Sequence, residues 1–373
     1  MIYLDYSANT PVDERVLARF CEVERLCIGN ANSKHAAGRQ AARILHESLD
    51  DMAARLGAKP TEIIQTSGAS ESNNTAIKGI LRASRHIGRH VVTTPLEHAS
   101  VSGCLTAMQE QGAQIDVVSL DREGRVDLEE LASLMRKDTV LVTVCAVDSE
   151  LGVIQPIRKI AESLKNYPNC RLHVDATQAV GKIPTRFEYA DTMSVAAHKF
   201  YGLNGSGLLL RREEVGMEPL IHGGVSASLY RSGTPAVGLT AAMDTALMLA
   251  VDELEARRAH VAQLNQTLRK ALSAYPKVQL NSPAHAVPHI LNLSVQGVKG
   301  AEIARRLDEE GVCVSVKSAC SVEGTPSRAV FAVSRNRQRA MSSFRISLSH
   351  LTTDEELSRF MDIFDKCYGE WTK

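Results

Sequence analysis

The chain has 373 residues, and its 43 lysines and arginines match its 43 aspartates and glutamates, leaving no formal net charge. That length suits one large domain with a smaller companion. The charge balance gives no electrostatic ground for a general nucleic-acid or membrane binder, so direct binding of either is not expected.

The opening MIYLDYSANT has neither a basic nor an apolar leader, and no later run is long and apolar enough to span a bilayer, which points to a cytoplasmic protein. The 8 cysteines are scattered and none forms a C-x-x-C pair. That excludes a dense disulfide framework and argues against a structural metal, and most of these thiols are expected to be small buried hydrophobes.

In chain order, EIIQTS, HVVTTP, IDVVSL, TVLVTVCAV, CRLHVDA, MSVAAH and GLLLRR read as strands, with amphipathic helical pattern between most of them. This is the rhythm of a parallel sheet covered by helices. Residues 249–275 are rich in Ala, Leu, Glu, Arg and Gln and free of Gly and Pro, which predicts one long helix leading out of the large domain. Beyond it, the turn-rich NSPAHAVP, the apolar runs ILNLSVQG, VCVSVK and SSFRISLS, and the helical AEIARRLDEEG and TTDEELSRFMDIFDKCY give an α+β rhythm. The expected boundaries are 13–250 for the large domain, with 1–12 and 251–373 forming the small one. No internal repeat or low-complexity tract is present.

Three stretches put chemistry-bearing residues beside strand ends. SVAAHKFYGLNGSG sets His198 and Lys199 between an apolar strand and a Gly-rich turn. Burial there disfavours the ammonium form, and a neutral amine is what Schiff-base chemistry requires; the alternative is an ordinary structural or surface lysine. CRLHVDATQAVG ends a buried strand on Asp175, with Gln178 three residues on. A buried carboxylate should face a cation, such as the protonated pyridine nitrogen of pyridoxal phosphate (PLP), or else serve as a core ion pair or helix cap. IIQTSGASESNNTAI reads as strand, glycine turn and helix, with Ser70 or Ser72 near the helix start and Glu71 in its first turn. Such a terminus suits a phosphate, although Ser and Glu are also common capping residues.

Together, YLDYSANTPVD, TSGASESNN, EHASV, HVDATQAVGK, HKFYGLNGSG, RSGTP, SAC and SSFRISLS run in order along almost the whole chain and resemble the cysteine desulfurases of the class V aminotransferase superfamily. The resemblance implies an α/β fold of PLP fold-type I, with a large domain around a mostly parallel seven-stranded sheet and a smaller α+β domain. It assigns Lys199 to covalent attachment of PLP, Asp175 to the ring nitrogen, Gln178 to the phenolic oxygen, and His98 to ring stacking and proton transfer. Ala69, Ser70 and His198 match phosphate-binding positions. Thr234 matches a residue supplied to the neighbouring subunit's cofactor, which implies a homodimer. Arg345 matches the residue that grips the substrate carboxylate, a bidentate task suited to a guanidinium. Cys320, in KSACSVEGTPSRA, matches the cysteine that takes sulfur from L-cysteine as a persulfide, leaving alanine, and Lys317 nearby would favour its thiolate. Taken singly, a core histidine at His98, a turn hydroxyl at Thr234, a surface ion pair at Arg345 and a buried thiol at Cys320 are the plain alternatives.

The chain departs from the family's pattern in three places. Asp148-Ser149-Glu150 replaces Asn-Asn-Glu, so Ser149 puts a hydroxyl where an amide serves cofactor and substrate; Ala196 replaces a phosphate-binding serine; and GGVSAS follows His222 in place of Gly-Gly-Gly-His-Glu. Weaker PLP binding or a lower rate than in housekeeping members is therefore expected. An aminotransferase, a selenocysteine lyase or a non-catalytic scaffold are the rival readings. Arg328, Arg335, Arg337 and Arg339 read as a solvated face, or as a dock for a protein sulfur acceptor in iron–sulfur assembly, tRNA thiolation or DNA phosphorothioation.

Overall fold

A computed structural model describes residues 1–224, 228–317 and 324–371; Cys320 lies outside them. The chain opens with a short strand β1 (Ile2–Tyr3) and two helices, α1 (Glu14–Leu26) and α2 (Ala36–Leu56). Strands and helices then alternate: β2 (Ile63–Thr66), α3 (Ala69–Ala83), β3 (His90–Thr93), α4 (Ala99–Glu110), β4 (Gln114–Val117), α5 (Leu128–Leu134), β5 (Thr139–Cys145), α6 (Ile157–Ser163) and β6 (Arg171–Asp175). After β7 (Thr192–Ala196) and β8 (Gly207–Arg211) come α7 (Val237–Asp252), α8 (Leu254–Leu272), β9 (Val278–Leu280), β10 (Ile290–Val295), α9 (Gly300–Glu309) and β11 (Val312–Cys313). The chain closes with α10 (Arg328–Ser334), α11 (Arg337–Met341), β12 (Ser343–Ser347) and α12 (Asp354–Trp371).

Each of the seven stretches expected to be strands in the first part of the chain becomes one of β2 to β8, and together they form a 7-stranded sheet in the order β2-β8-β7-β6-β5-β3-β4. Only β8 runs against its neighbours, pairing antiparallel with both β2 and β7. Every residue of β3, β5, β7 and β8 is buried, as continuous apolar strands covered on both faces require. One face packs Val142, Val144, Val174, Val195 and Leu210 against helices that include α7. The other meets α3 and α4 through Ile77, Ile80, Val101 and Leu105.

The helix expected over 249–275 is instead two helices. α7 begins upstream at Val237, and the chain breaks at Glu253 (φ −98°, ψ 5°) before α8. Neither Gly nor Pro marks the break, so local propensity does not reveal it; burial does. Ala242, Met243, Ala246 and Ala250 of α7 belong to the core of the large sheet. Val261, Leu264, Leu268 and Leu272 of α8 turn to a separate cluster with Ile2, Leu4, Leu291, Phe344 and Phe360. Charge pins the corner: Asp252 pairs with Arg55 at 2.8 Å, and Glu253 with Arg15 at 2.9 Å and Arg257 at 2.7 Å.

That second cluster lies against an antiparallel sheet in the order β12-β10-β9 and the parallel pair β1-β11, so the first strand of the chain packs with its last third. No helix among the described residues is long and apolar enough to cross a membrane.

Candidate active site

The C-terminal ends of β2, β5, β6 and β7 open onto a cavity of about 340 Å³. This is where parallel α/β sheets generally hold ligands, because loops and helix N-termini converge there. The cavity gathers Lys199, Asp175, Gln178, His98, Ala69, Ser70, His198, Ser149 and Arg345, residues widely separated in sequence.

Lys199 ends a single 3-10 turn, Ala197–Lys199, directly after β7. The N-terminal segment clasps this turn. Thr10 donates to the His198 carbonyl from both N and Oγ1 at 3.0 Å, and its Oγ1 accepts the N–H of Tyr201 at 2.8 Å. The same segment receives the amine, for Lys199 Nζ donates to the carbonyls of Ser7 at 2.9 Å and Ala8 at 2.6 Å.

Asp175 closes β6 and is 5% exposed. Its carboxylate accepts from Asn73 Nδ2 at 2.8 Å and from the N–H of Thr177 at 3.0 Å. No basic side chain among the described residues makes an ion pair with it. Asn73 in turn accepts from His173 Nε2 at 2.9 Å, and His173 Nδ1 meets Thr192 Oγ1 at 2.8 Å. Burial depresses the His173 pKa, and the neutral ring fits a relay in which Nε2 donates and Nδ1 accepts. Gln178 Nε2 donates to the Ser7 carbonyl at 2.9 Å.

His98 caps α4: its Nδ1 accepts the N–H of Ser100 at 3.1 Å. A backbone N–H can only donate, so the neutral ring carries its proton on Nε2. Burial lowers the His98 pKa, opposed by the Asp175 carboxylate. The preceding residue, Glu97, is 3% exposed; its Oε1 accepts from Thr94 Oγ1 at 2.7 Å and the N–H of Cys145 at 2.9 Å. Burial raises its pKa to about 8.

At the other end of the cavity α3 begins after Gly68, and no side chain caps it. Its first-turn amides therefore lack an intrahelical acceptor. Gly68 (φ +149°) closes against Gly207, where an added Cβ would lie 2.5 Å from the Gly68 Cα. Ser70 lines the cavity, but Ser72 turns to the sheet, with Oγ bonded to Thr66 Oγ1 at 2.8 Å and the Leu208 carbonyl at 3.0 Å. Of the two serines proposed for an anion, Ser70 is thus the one in place. Glu71 is occupied by the N–H of Ser67 at 2.7 Å and by Arg231 Nε at 3.0 Å. Burial, then Lys199 and Lys182, lower the His198 pKa to about 4. Ala196 is fully buried at the end of β7, on the strand face shared with Thr192 and Ser194.

Arg345, on β12, is 1% exposed. Its Nη1 donates to the Ser149 carbonyl at 2.8 Å and its Nη2 to Asp5 Oδ1 at 2.7 Å. Ser149, Leu96 and His98 also border a second cavity of about 300 Å³, lined further by Glu97, Asp148, Glu150, Lys317, Thr325 and Arg328. Lys317 and Thr325 flank Cys320 in sequence, and Lys317 Nζ donates to the carbonyl of Thr325 at 3.0 Å and its Oγ1 at 2.8 Å. Thr234 is exposed and does not line the cavity.

The arginine cluster divides. Arg335 and Arg337 are exposed, as a solvated face requires, but Arg328 bonds the Glu97 carbonyl, and Arg339 reaches Asn281 Oδ1 at 2.5 Å and the Leu280 carbonyl at 2.8 Å. These last two tie loops internally.

Sequence reasoning missed Asp5, Ser7, Ala8, Asn73, Glu97 and Cys145 as parts of the site. Cys145 ends a wholly buried, mostly apolar strand and Asn73 is a polar residue on the buried face of α3, both readable signals of a strand-end site. Asp5, Ser7 and Ala8 fall in the YLDYSANTPVD motif, but no local pattern tied them to the site, since they arrive from the far end of the chain.

Comparison with known proteins agrees with this geometry. Residues 2–360 match the class V aminotransferase family. A NifS/IcsS protein homolog of Lactobacillus delbrueckii subsp. bulgaricus is 35% identical over 100% of this chain and 98% of its own. Cysteine desulfurase IscS of Neisseria meningitidis serogroup C is 37% identical over 99% of this chain and 92% of its own. Among solved structures, a NifS-like protein superposes with a TM-score of 0.93 at 32% identity, covering 99% of both chains. DndA from Streptomyces lividans superposes at 0.78 with 31% identity, covering 93% of this chain and 99% of its own, and SspA in complex with cysteine at 0.83 with 28%, covering 95% and 100%. A central sheet of this order, a lysine presented just past its β7 edge and full-length likeness of this extent have one reading: the chain belongs to the class V aminotransferase family and, within it, to the cysteine desulfurases.

Proposed function

We propose that this protein removes sulfur from L-cysteine, giving L-alanine and a persulfide on Cys320 that is passed to a protein acceptor. The observation that carries the reading is the convergence of Lys199, Asp175 and Arg345 on one cavity. SspA, a structural relative, binds cysteine, which supports the substrate.

Members of this family depend on PLP, and the residues present fit that group. Buried polar atoms without partners, Ser7 Oγ, Thr177 Oγ1, Gln178 Oε1 and Arg345 Nε, belong to residues lining the cavity. Such orphans are costly unless a ligand completes them. Lys199 would hold the cofactor covalently, Asp175 its ring nitrogen, Gln178 its phenolic oxygen, His98 its ring face, and Ala69, Ser70 and His198 its phosphate. When bound, PLP supplies an electron sink that acidifies the substrate Cα–H and weakens its Cβ–Sγ bond.

The protein's own groups do the rest. The Asp175 carboxylate keeps a proton on the ring nitrogen, while Asn73 and Thr177 fix its orientation. The unpartnered Nε edge of Arg345 takes the substrate carboxylate, its other contacts being made with Asp5 and Ser149. Lys199 Nζ, held over the carbonyls of Ser7 and Ala8, moves the Cα proton. Cys320 thiolate attacks the substrate sulfur, so the Cβ–Sγ bond breaks as the S–S bond forms, and Cβ takes up a proton to give alanine. The second cavity, bordered by the residues flanking Cys320 and adjoining the first, supports an approach by that side.

The large unit, 13–250, and the smaller one, 1–12 with 251–373, are supported by two main apolar clusters; Val287 and Ile290 join the first, and Ala329, Val330 and Ala340 pack with Leu96 and Cys145 across the boundary. A homodimer is supported by the exposed Thr234, available to a second copy. The test is alanine and persulfide formation from L-cysteine by the wild type and Cys320→Ser. Cys320→Ser should bind PLP and substrate but lose both products; alanine formation at the wild-type rate would refute the mechanism.

A further inference from the structure

The segment that follows β6 turns helically, with Val180 N–H bonded to the Ala176 carbonyl at 3.1 Å and Ile183 N–H to the Ala179 carbonyl at 3.0 Å. Asp175 closes the strand, and this short turn then carries Gln178 and, past Gly181, Lys182. Asp175 and Gln178 reach the front of the site. Lys182 reaches its back.

Lys182 is 5% exposed, and its Nζ donates to the backbone carbonyl of Lys199 at 3.2 Å. No carboxylate among the described residues pairs with it. A buried lysine without an acid is costly, and burial with the neighbouring Lys199 and Arg345 charges lowers its pKa to about 7. Packing alone would be better served by Met or Leu. The contact it makes is on the residue whose amine carries the chemistry.

The approach is tight. Gly181 (φ +75°) precedes Lys182, and a Cβ there would stand 2.9 Å from the Cβ of Phe200, the residue after Lys199. Only glycine lets this segment lie against the lysine turn. The turn is then held from two sides, by Thr10 on the His198 carbonyl and by Lys182 on the Lys199 carbonyl.

Resting on the assignment of Lys199 as the cofactor-bearing residue, we propose that Lys182 is its positioning residue. By holding the Lys199 carbonyl it fixes the main chain from which the amine reaches the carbonyls of Ser7 and Ala8. Misplacing a reacting group by about 1 Å costs on the order of a hundredfold in rate.

The test compares Lys182→Met, which keeps length without a donor, with Lys182→Gln, which keeps a neutral donor. Apoprotein of each is mixed with PLP, and the rate of appearance of the visible band and the fraction fixed to Lys199 by borohydride are measured, followed by kcat and KM for alanine formation. Lys182→Met should slow capture by about tenfold or more and lower kcat with KM little changed, at a thermal midpoint near that of the wild type; Lys182→Gln should recover part of both. Wild-type capture by Lys182→Met would overturn the proposal, as would losses in both variants that follow thermal midpoint alone. Capture is read without cysteine, so a wild type that takes up PLP at Lys199 but makes no alanine refutes the desulfurase reading and not this one.

Discussion

Nη2 of Arg345 donates to Oδ1 of Asp5 across 2.7 Å, joining residues 340 apart in sequence. Asp5 also accepts from Ser315 Oγ at 2.9 Å, so the carboxylate is itself held. Two nitrogens of the guanidinium are thereby committed to the protein, and Nε is buried without a hydrogen-bond partner.

Asp5→Ala removes the partner of a buried charge, which destabilises folded proteins by about 3 kcal/mol or more. It also frees Arg345 to turn. KM for L-cysteine should rise about tenfold with a smaller change in kcat, while Asp5→Asn, still an acceptor, should lie nearer the wild type. Steady-state alanine assays and denaturant titration read both effects, and an unchanged KM in Asp5→Ala would refute the role.

The assignment of Lys199 has a direct chemical check. Borohydride should fix PLP to one lysine, and peptide mass spectrometry should find the adduct at Lys199. Lys199→Ala should show no visible band after dialysis. An adduct on Lys182 or any other lysine would overturn the site.

Glu97 makes stability depend on pH. Its pKa rises from 4.5 in the unfolded chain to about 8 when buried, so between these values the folded state binds the extra proton. Its contribution is fully present below the unfolded value and is lost as pH climbs to about 8. His98 and His198, with lowered values, act in the opposite sense below about 6.5. Glu97→Gln should therefore flatten the fall in apoprotein thermal midpoint between about pH 5 and pH 8, measured by calorimetry. A slope equal to that of the wild type would exclude Glu97 as its source.

Ala196 lies on the β7 face that also carries Thr192, whose hydroxyl meets His173 on the α3 side of the sheet. A serine there would add a donor toward the start of α3, worth about 1.5–3 kcal/mol to a charged acceptor when well placed. Ala196→Ser should slow PLP loss on dialysis, whereas Ser149→Asn should chiefly alter kcat. Unchanged or faster loss from Ala196→Ser would mean that the phosphate is already satisfied by other donors.

Much of this was readable from residue order. Continuous apolar runs such as TVLVTVC and GLLLR cannot satisfy both faces in any open structure, so the covered sheet followed from composition and period. The strand-end positions of Asp175 and Lys199 followed from the same runs, because a polar residue directly after a buried strand marks its open edge. The break at Glu253 was not readable, since helix propensity is alike on both sides and the division comes from which core each half meets. Local pattern likewise left Ser70 and Ser72 indistinguishable, and only the resemblance favoured Ser70; the helix phase turns that one to the cavity and the other to Leu208.

The order of residues alone determined the strands and the strand-end positions of Lys199 and Asp175, while resemblance to a family pointed to Arg345. Tertiary structure decided their partners: Ser7 and Ala8 beneath Lys199, Asn73 on Asp175, Asp5 beside Arg345 and Lys182 behind the lysine turn. Period and composition act over a few residues and survive in the sequence. Hydrogen bonds between segments hundreds of residues apart depend on how the cores close, and that is settled only when the chain folds.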